Sequence, residues 1–564
     1  MPLRDLLARF LSQRPGPPAL GPSASVGAPV RAASVAQADL EAARRLADLR
    51  RAAAASPGEP EPALALGRAL AELRADDELA GVMRELIRTA RRQGRTEVEL
   101  TACRFWHEQQ GDNPEADLAL AQALAATGDV AEAAAAFERH LSRHGPDLSA
   151  LVALGAAREE MLRFEDAMAA YRQALSLVPD HPGVLIHAGL CARDLGRSAE
   201  ARECLERAVA LDASSPHAQF NAGLVRLDQG CLPDAAQAFA KARALRRGDP
   251  WQIAALDQHF AACRPDVNDP DWGCSRLKLM HDIEQFEHLR ARGRLGPDFD
   301  PVIADYQRAL EDPVLPEDPY AMVALDPARY PLLAATWKRP LHVTDPEPPP
   351  GALINPDLDW GAIEASYLDA QPNMVTIDGL LTPAALSAIR QWCLENTVWN
   401  DPKGGYLGAY LQDGFSSRLL LQTALELAAR MPRVIGQRRL GMMWGYKYDS
   451  RYAGIGVHAD VAAVNVNFWI TPDEANLDPH SGGLVVHSHD APSDWGFRRF
   501  NAGHEEIYRY LERVGSRAVR VPHRTNRALL FDSDLFHETD AFRFKPGYEN
   551  RRINITMLFG AREP

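Results

Sequence analysis

The chain has 564 residues, 62 basic against 76 acidic for a formal charge of −14, and a hydrophobic content of 46%, which excludes the disordered and collagenous classes. Its length allows about three or four domain-sized units, more than one hydrophobic core spans. An acidic chain with a pI near 5.7 has no general electrostatic attraction to nucleic acid or to an anionic membrane surface, so neither is an expected partner.

The opening MPLRDLLARFLSQR interrupts its apolar residues with Asp5, Arg9 and Arg14, and no run of about 18 apolar residues follows, so no signal peptide and no membrane span is expected. The loose segment RPGPPALGPSASVGAPV, residues 14–30, leaves residues 1–35 as a leader with one short amphipathic helix. The seven cysteines are scattered and contain no CxxC pair, which argues against a disulfide framework and a thiolate zinc site and makes a reducing cytoplasm the expected compartment.

Residues 36–250 are rich in the helix formers Ala, Leu, Arg and Glu and hold 7 of the 41 aromatic residues, whereas residues 355–564 hold 24. Gly155, Gly189 and Gly223 are spaced by 34; so are Ala167, Ala201 and Ala235, and again Ala174, Ala208 and Ala242. Tyr171, Leu205 and Phe239 form a bulky column between them, and Ala121, Ala133 and Phe137 keep the register one unit earlier. This pattern resembles the tetratricopeptide repeat, a 34-residue helix pair. It is clearest over 114–250, and Leu66-Gly67 marks a more degenerate unit upstream. The resemblance implies an α-helical solenoid whose concave surface takes a peptide or another protein, with a scaffold or a dimer contact as the alternative. His187 and Asn221 are candidate groove contacts.

Residues 251–345 read as a helical bridge, carried by SRLKLMHDIEQFEHLRARG and FDPVIADYQRALED. His281, Asp282 and His288 on the first stretch are read as a structural face rather than as ligands. PEPPPGALINPDLDW, within a linker over 346–369, is proline-dense enough for a semi-rigid connector, and the main domain boundary is placed there.

In residues 370–564, MVTIDGLLTPAALSAIRQWCLENTVW reads as a strand, a turn and a helix starting at Thr382-Pro383. After it come GMMWGYKY, GIGVHADVAAVNVNFWIT, GGLVVHSH, SRAVRVPH, NRALLFDSDLFHETD and RRINITMLFG, many short strands with one helical insertion, HEEIYRYLERV, which predict a sandwich or barrel. His458-Ala459-Asp460 is at the edge of one strand, where positions i and i+2 share a face. Composition alone yields about two such His-x-acid pairs, and the other, His504 with Glu506, opens a charged helix. A third ligand is found in His537, 77 residues after Asp460, at the end of an apolar strand. Two histidines and one carboxylate leave open positions on an Fe(II) ion. Arg552, on the apolar RRINITMLFG, would be costly to bury unless it met an anion. His480, His487 and His489 are the rival ligands, but none has an acid at i+2.

In these residues the chain resembles the Fe(II)/2-oxoglutarate-dependent dioxygenases, most nearly their prolyl-hydroxylase-like branch, over roughly 370–564. The family pattern of HxD, a distant His and a basic residue on the next strand maps onto His458, Asp460, His537 and Arg552. The resemblance implies a double-stranded β-helix (jelly-roll), and the expected fold is multidomain α + β, a helical repeat solenoid followed by that oxygenase domain. It further implies that His458, Asp460 and His537 hold Fe(II), that Arg552 or its neighbour Arg551 holds the distal carboxylate of 2-oxoglutarate, and that O2 is the second cosubstrate. Tyr448, or Tyr446 in its place, is expected on that carboxylate, and Asn467 and Asn554 are expected to line the barrel and bond cosubstrate or substrate. The 14 residues between His537 and Arg552 resemble a longer hairpin than the family uses. Because Asp460 is retained, the reaction implied is hydroxylation of a C–H bond, with release of succinate and CO2. The implied substrate is a peptide or protein recruited by the repeats; a small molecule, with the repeats serving a partner or oligomer, is the alternative, and a non-catalytic repeat protein the third. Residues 401–418 and 491–504 are read as loops over the barrel mouth.

Overall fold

Alanine-rich, strongly helix-forming sequence dominates the first half, and in the computed structural model it forms helices throughout. The structure describes residues 33–56, 58–249, 272–492, 495 and 497–562. Residues 1–32 of the expected leader, residues 251–271 of the expected bridge, and parts of 491–504 lie outside them. The chain divides into two compact units, Met1–Leu211 and Asp212–Pro564.

The first unit contains α1 (Ala33–Ala55), α2 (Pro60–Glu72), α3 (Asp76–Arg92), α4 (Thr96–Gln109), α5 (Pro114–Thr127), α6 (Val130–His144), α7 (Leu148–Glu160), α8 (Phe164–Leu177), α9 (Pro182–Asp194) and α10 (Ser198–Leu211). Side chains of Asn113, Asp147 and His181 cap α5, α7 and α9, and proline opens α5 and α9, which satisfies or removes donors the helix start would leave orphaned. The 34-residue columns are interhelical contacts. A Cβ on Gly155 of α7 would lie 2.4 Å from the Tyr171 ring of α8, and one on Gly189 of α9 would lie 2.7 Å from Leu205 of α10. The alanine columns beside them, Ala167, Ala174, Ala201 and Ala208, are fully buried.

Gly155→Ala is therefore expected to destabilise the chain. Alanine gains about 1 kcal/mol in helix propensity over glycine, but forcing a methyl into a closed contact costs about 1–3 kcal/mol. The net loss of about 1 kcal/mol would appear as a lower urea midpoint of the helical transition at unchanged slope; a higher midpoint would show that the Tyr171 ring yields.

His187 is not a free groove contact. Its Nδ1 lies 2.9 Å from Glu159 Oε2 and its ring packs on Tyr171, so it pairs with a half-buried acid of the preceding repeat.

The second unit opens with one more helix pair, α11 (Pro216–Asp228) and α12 (Leu232–Arg247), again closed by a glycine, Gly223, whose Cβ would meet the Phe239 ring at 2.8 Å. Asn221, the other expected groove residue, is buried and donates to His217 O at 2.9 Å. Leu224, Leu227, Ala236 and Phe239 of this pair share a hydrophobic core with residues of the β-rich region. Asp228 lies 3.4 Å from Arg439, and Arg247 lies 3.6 Å from Asp413. The unit division thus falls at Leu211, well before the expected boundary at 346–369, because this pair packs its apolar face into the β-rich half.

The proline-dense stretch is docked rather than free. Leu353 and Ile354 are fully buried, their N–H groups donate to Glu426 Oε2 at 2.7 and 2.9 Å, and Ile354 bridges Leu381. Both helical stretches expected in the bridge are helices, α13 (Arg276–Ala291) and α14 (Asp300–Leu310). His281 is buried against Asp282, which also pairs with Lys278, and His288 lies 3.3 Å from Glu549, all packing roles.

Ten strands follow among the described residues: β1 (Met374–Asp378), β2 (Asp401–Lys403), β3 (Tyr406–Tyr410), β4 (Leu440–Tyr448), β5 (Val464–Trp469), β6 (Leu484–Asp490), β7 (Ala518–Val521), β8 (Arg527–Asp532), β9 (Leu535–Thr539) and β10 (Ile553–Phe559). They form a seven-stranded sheet, β1-β8-β5-β10-β4-β3-β2, and a three-stranded sheet, β7-β6-β9, with every pairing antiparallel. The helix expected at Thr382-Pro383 spans Pro383–Glu395, capped by Thr382. On the large sheet Val466, Phe468, Ile553, Ile555 and Met557 point into the core shared with the helices. The other face meets the small sheet through Trp469, Leu529 and Phe531 on one side and Val486 and Leu535 on the other. The result is a two-layer β-rich region.

Two local readings change. Residues 401–418, expected as a mouth loop, supply the edge hairpin β2–β3, since alternating Leu407 and Ala409 bury one face. NRALLFDSDLFHETD, read as one strand, breaks at Ser533-Asp534 into β8 and β9, which join different sheets. Among the described residues no helix is long and apolar enough to cross a membrane.

Candidate metal centre and its polar ladder

The break after β8 is what carries His537 to His458. His458 lies on an isolated bridge rather than within a strand, and its main chain exchanges both bonds with His537, N–H to O at 3.0 and 2.8 Å. This short antiparallel pairing puts the two imidazoles 4.3 Å apart between centroids. Asp460, two residues on and just ahead of β5, reaches the same point: His537 Nε2 lies 3.4 Å from Oδ2 and His458 Nε2 3.9 Å from Oδ1. One donor atom from each residue lies within 4.8 Å of the others.

Backbone carbonyls set the tautomers. Nδ1 of His458 faces Gly456 O at 2.8 Å and Nδ1 of His537 faces Leu535 O at 3.0 Å. A carbonyl only accepts, so each Nδ1 carries hydrogen, and each ring in its neutral form presents the Nε2 lone pair to the Asp460 side. Burial, then the neighbouring His537, pushes His458 down to about 4. Burial pushes Asp460 up, but the His537 and His458 rings and the Asn465 amide outweigh it and hold the carboxyl below its ordinary range. The cluster thus offers two imidazole lone pairs and one carboxylate, the donor forms that a divalent ion requires.

From Asp460 a chain of amides crosses the inner face of the large sheet. Asn465 Nδ2 donates to Asp460 Oδ2 at 2.7 Å, Asn467 Nδ2 to Asn465 Oδ1 at 2.6 Å, Asn554 Nδ2 to Asn467 Oδ1 at 3.0 Å, and Arg552 Nη1 to Asn554 Oδ1 at 3.3 Å. A carboxylate can only accept and a guanidinium can only donate, so the two ends fix the orientation of every amide between them. Thr556 adds a second donor to Asn467 Oδ1 at 2.7 Å. Tyr448 and Tyr446 on β4, with Asn467, Asn554, Thr539 and Trp444, line one pocket with the His458, Asp460 and His537 cluster.

Arg552 is fully buried. Its Nε and Nη2 donate to Gly482 O and Gly483 O at 2.6 and 3.0 Å, and its Cζ lies 4.5 Å above the Tyr448 ring. Among the described residues no carboxylate oxygen lies within ion-pair distance of it, and burial lowers its pKa without discharging a guanidinium. Arg551 points oppositely and is taken by Glu284 at 2.8 Å and Asp449 at 3.2 Å. The Gly482-Gly483 pair opens β6 because a Cβ on Gly483 would meet Val521 O at 1.9 Å. Tyr448, buried beside Arg552, places its hydroxyl 3.3 Å from Thr539 Oγ1.

The rival histidines stay outside the cluster: His487 faces Glu538 at 3.3 Å, His489 faces Ser488 at 3.2 Å, and the exposed His480 donates its main-chain N–H to Asp478 Oδ1 at 3.2 Å. The described part of 491–504 backs the site instead of merely covering it, since Ala459 N donates to Phe500 O at 3.0 Å and His504 Nδ1 to Val457 O at 2.8 Å. Asn465, Thr539 and Thr556 are the contributors that sequence reading missed. Asn465 had a signal: in VNVNFW it alternates with Asn467 on one face of an otherwise apolar strand.

Asn465→Ala is expected to weaken divalent-metal affinity by about 10–100-fold, the usual cost of losing a partner that orients a ligand, with the ladder to Asn467 cut. Competition against a chromogenic chelator measures it; an unchanged affinity would show that Asp460 needs no such support.

The tetratricopeptide repeat family matches four overlapping stretches, residues 107–148, 118–182, 152–216 and 188–250. The N-terminal region contains tetratricopeptide repeats over 107–250. Solved structures similar to the chain include MamA 41-end from Desulfovibrio magneticus RS-1, 21% identical over 30% of this chain and 94% of that one at a TM-score of 0.29. A thermophilic TPR protein of Thermus thermophilus is 23% identical over 28% of this chain and 86% of that one, TM-score 0.25. PilF of Pseudomonas aeruginosa is 19% identical over 33% and 84%, TM-score 0.28. No curated protein matches the chain.

Proposed function

We propose that the β-rich region is a double-stranded β-helix oxygenase that uses Fe(II), 2-oxoglutarate and O2 to hydroxylate a C–H bond, and that the repeats recruit a peptide or protein substrate to it. The observation that carries this reading is the pairing of two ends of one polar ladder: a His458, Asp460 and His537 donor set with free Nε2 lone pairs at one end, and a buried Arg552 without a carboxylate partner at the other.

The donor set fits Fe(II), since two imidazoles and a carboxylate on one side leave positions open. A bound Fe(II) would supply the activation of O2 and the oxidation of the substrate. Arg552 fits a carboxylate, and it would hold the distal end of 2-oxoglutarate with Tyr448 beside it. The residues themselves bind and orient: backbone carbonyls hold both rings, Asn465 holds Asp460, and Asn467 with Asn554 keeps the floor rigid. The surrounding Trp444, Ile455 and Leu484 limit water.

Anaerobic addition of Fe(II) and 2-oxoglutarate to the full chain tests the reading. A visible charge-transfer band that needs both components is expected; its absence from folded, iron-loaded protein would overturn it. Removing residues 1–211 tests the recruitment half. That cut spares α11 and α12, which share the β-rich core, so residues 212–564 are expected to keep the band while KM for a peptide substrate rises at least about tenfold, a loss of about 1.4 kcal/mol. An unchanged KM would favour a small-molecule substrate.

A further inference from the structure

Helices α4, α5 and α6 bring three histidines and an aspartate together inside the repeat unit. His140 Nδ1 lies 3.6 Å and His144 Nε2 3.3 Å from Asp117 Oδ2, and His107 Nδ1 lies 3.4 Å from the other oxygen, Oδ1. A donor atom from each of Asp117, His140 and His144 lies within 4.8 Å of the other two. Asp117 Oδ2, His140 Nδ1, His144 Nε2 and His107 Nδ1 are all buried with no hydrogen-bond partner among the described residues. The Asp117 and His140 side chains are only 7% and 3% exposed.

The repeat register makes this cluster a departure. His140 occupies the column that Ala174, Ala208 and Ala242 fill in the following units, and Asp117 the column of Leu151, Leu185 and the buried Gln219, whose amide donates to Ala213 O at 3.3 Å. Those positions are buried packing positions in their own repeats. One unit has therefore exchanged a small and an apolar core residue for a histidine and a carboxylate, which a core tolerates only if the polar atoms find a partner. Spacing i, i+4 puts His140 and His144 on one face of α6.

We propose that Asp117, His140 and His144 bind a zinc ion, tying α5 to α6, with His107 holding the second carboxylate oxygen in place. A tetrahedral ion with bonds of about 2.0–2.1 Å to nitrogen and oxygen needs ligand atoms about 3.3 Å apart, and the oxygen–nitrogen separations here are 3.3 and 3.6 Å. Imidazole pairs favour zinc over magnesium or calcium, which take oxygen ligands. His144 and His107, 13% and 31% exposed, mark the side from which the ion enters and where a water completes the shell. This site is independent of the oxygenase reading.

The test is a zinc titration of the full chain against a competing chromophoric chelator, in a His458→Ala/His537→Ala background that silences the other cluster. One equivalent is expected, with an upward shift of the thermal transition. Adding His144→Gln, or Asp117→Asn, is expected to weaken binding at least about 100-fold, and His107→Ala by about tenfold. If the background variant does not fold, wild type and His144→Gln are compared directly, with a fall of one equivalent expected. Folded background protein that takes up no zinc, or His144→Gln and Asp117→Asn proteins that bind as the parent does, overturns the proposal.

Discussion

Replacing His537 by alanine is expected to abolish Fe(II)-dependent consumption of 2-oxoglutarate, by well over the 10–100-fold that loss of an outer partner costs a metal site. His537 provides the Nε2 nearest to Asp460, at 3.4 Å, and without it two donors remain, too few to hold the ion against water. The fold should survive. The bridge to His458 uses main-chain atoms only, and Asp460 retains its bond from Asn465. What is lost is the ring packed edge-on to Phe531 at 4.9 Å, a truncation worth about 2–3 kcal/mol. Succinate release measured beside far-UV circular dichroism separates the two effects. Turnover that persists in the folded variant would place the metal elsewhere.

Arg552→Ala is expected to act on both stability and cosubstrate. Truncation orphans Gly482 O and Asn554 Oδ1 and leaves Gly483 O with only the Asp540 N–H at 3.2 Å, and a buried acceptor without a donor costs about 1–3 kcal/mol. Against this, removing a buried cation that no carboxylate neutralises returns several kcal/mol of desolvation. Two orphaned acceptors and the lost stacking on the Tyr448 ring, worth about 2 kcal/mol when desolvated, outweigh one relieved charge, for a net loss of about 2 kcal/mol in urea denaturation. Arg552→Lys retains the charge but not the fork, so it is the variant for binding: loss of the forked pair with a carboxylate is expected to cost about 2 kcal/mol or more, or about 30-fold or more in the Kd for 2-oxoglutarate. A folded lysine variant with unchanged cosubstrate affinity would remove Arg552 from the site.

Residues that act through near neighbours were legible. The 34-residue columns encode contacts between successive helices, so Gly155 facing Tyr171 leaves its trace within a single repeat. The period-2 alternation of β4, β5 and β10 likewise sorts Asn467, Asn554 and Tyr448 onto one face. The separation of Arg551 from Arg552 was not legible, because a one-residue shift exchanges the faces; the Glu284 and Asp449 partners of Arg551 lie about 267 and 102 positions away in sequence.

Local sequence by itself determined the helical repeats, the capped helix starts, the division into an aromatic-poor and an aromatic-rich half, and the residue types able to bind a metal. These depend on propensity and on periodicity within a few turns or one strand. Only the tertiary structure decided that β8 and β9 part at Ser533 into different sheets, that His458 and His537 meet through their main chains, that α11 and α12 join the β-rich core, and that the proline-rich segment docks. Each of those outcomes follows from pairing between segments far apart in the chain, where burial of a whole face against a distant partner outweighs the local preference of any one residue.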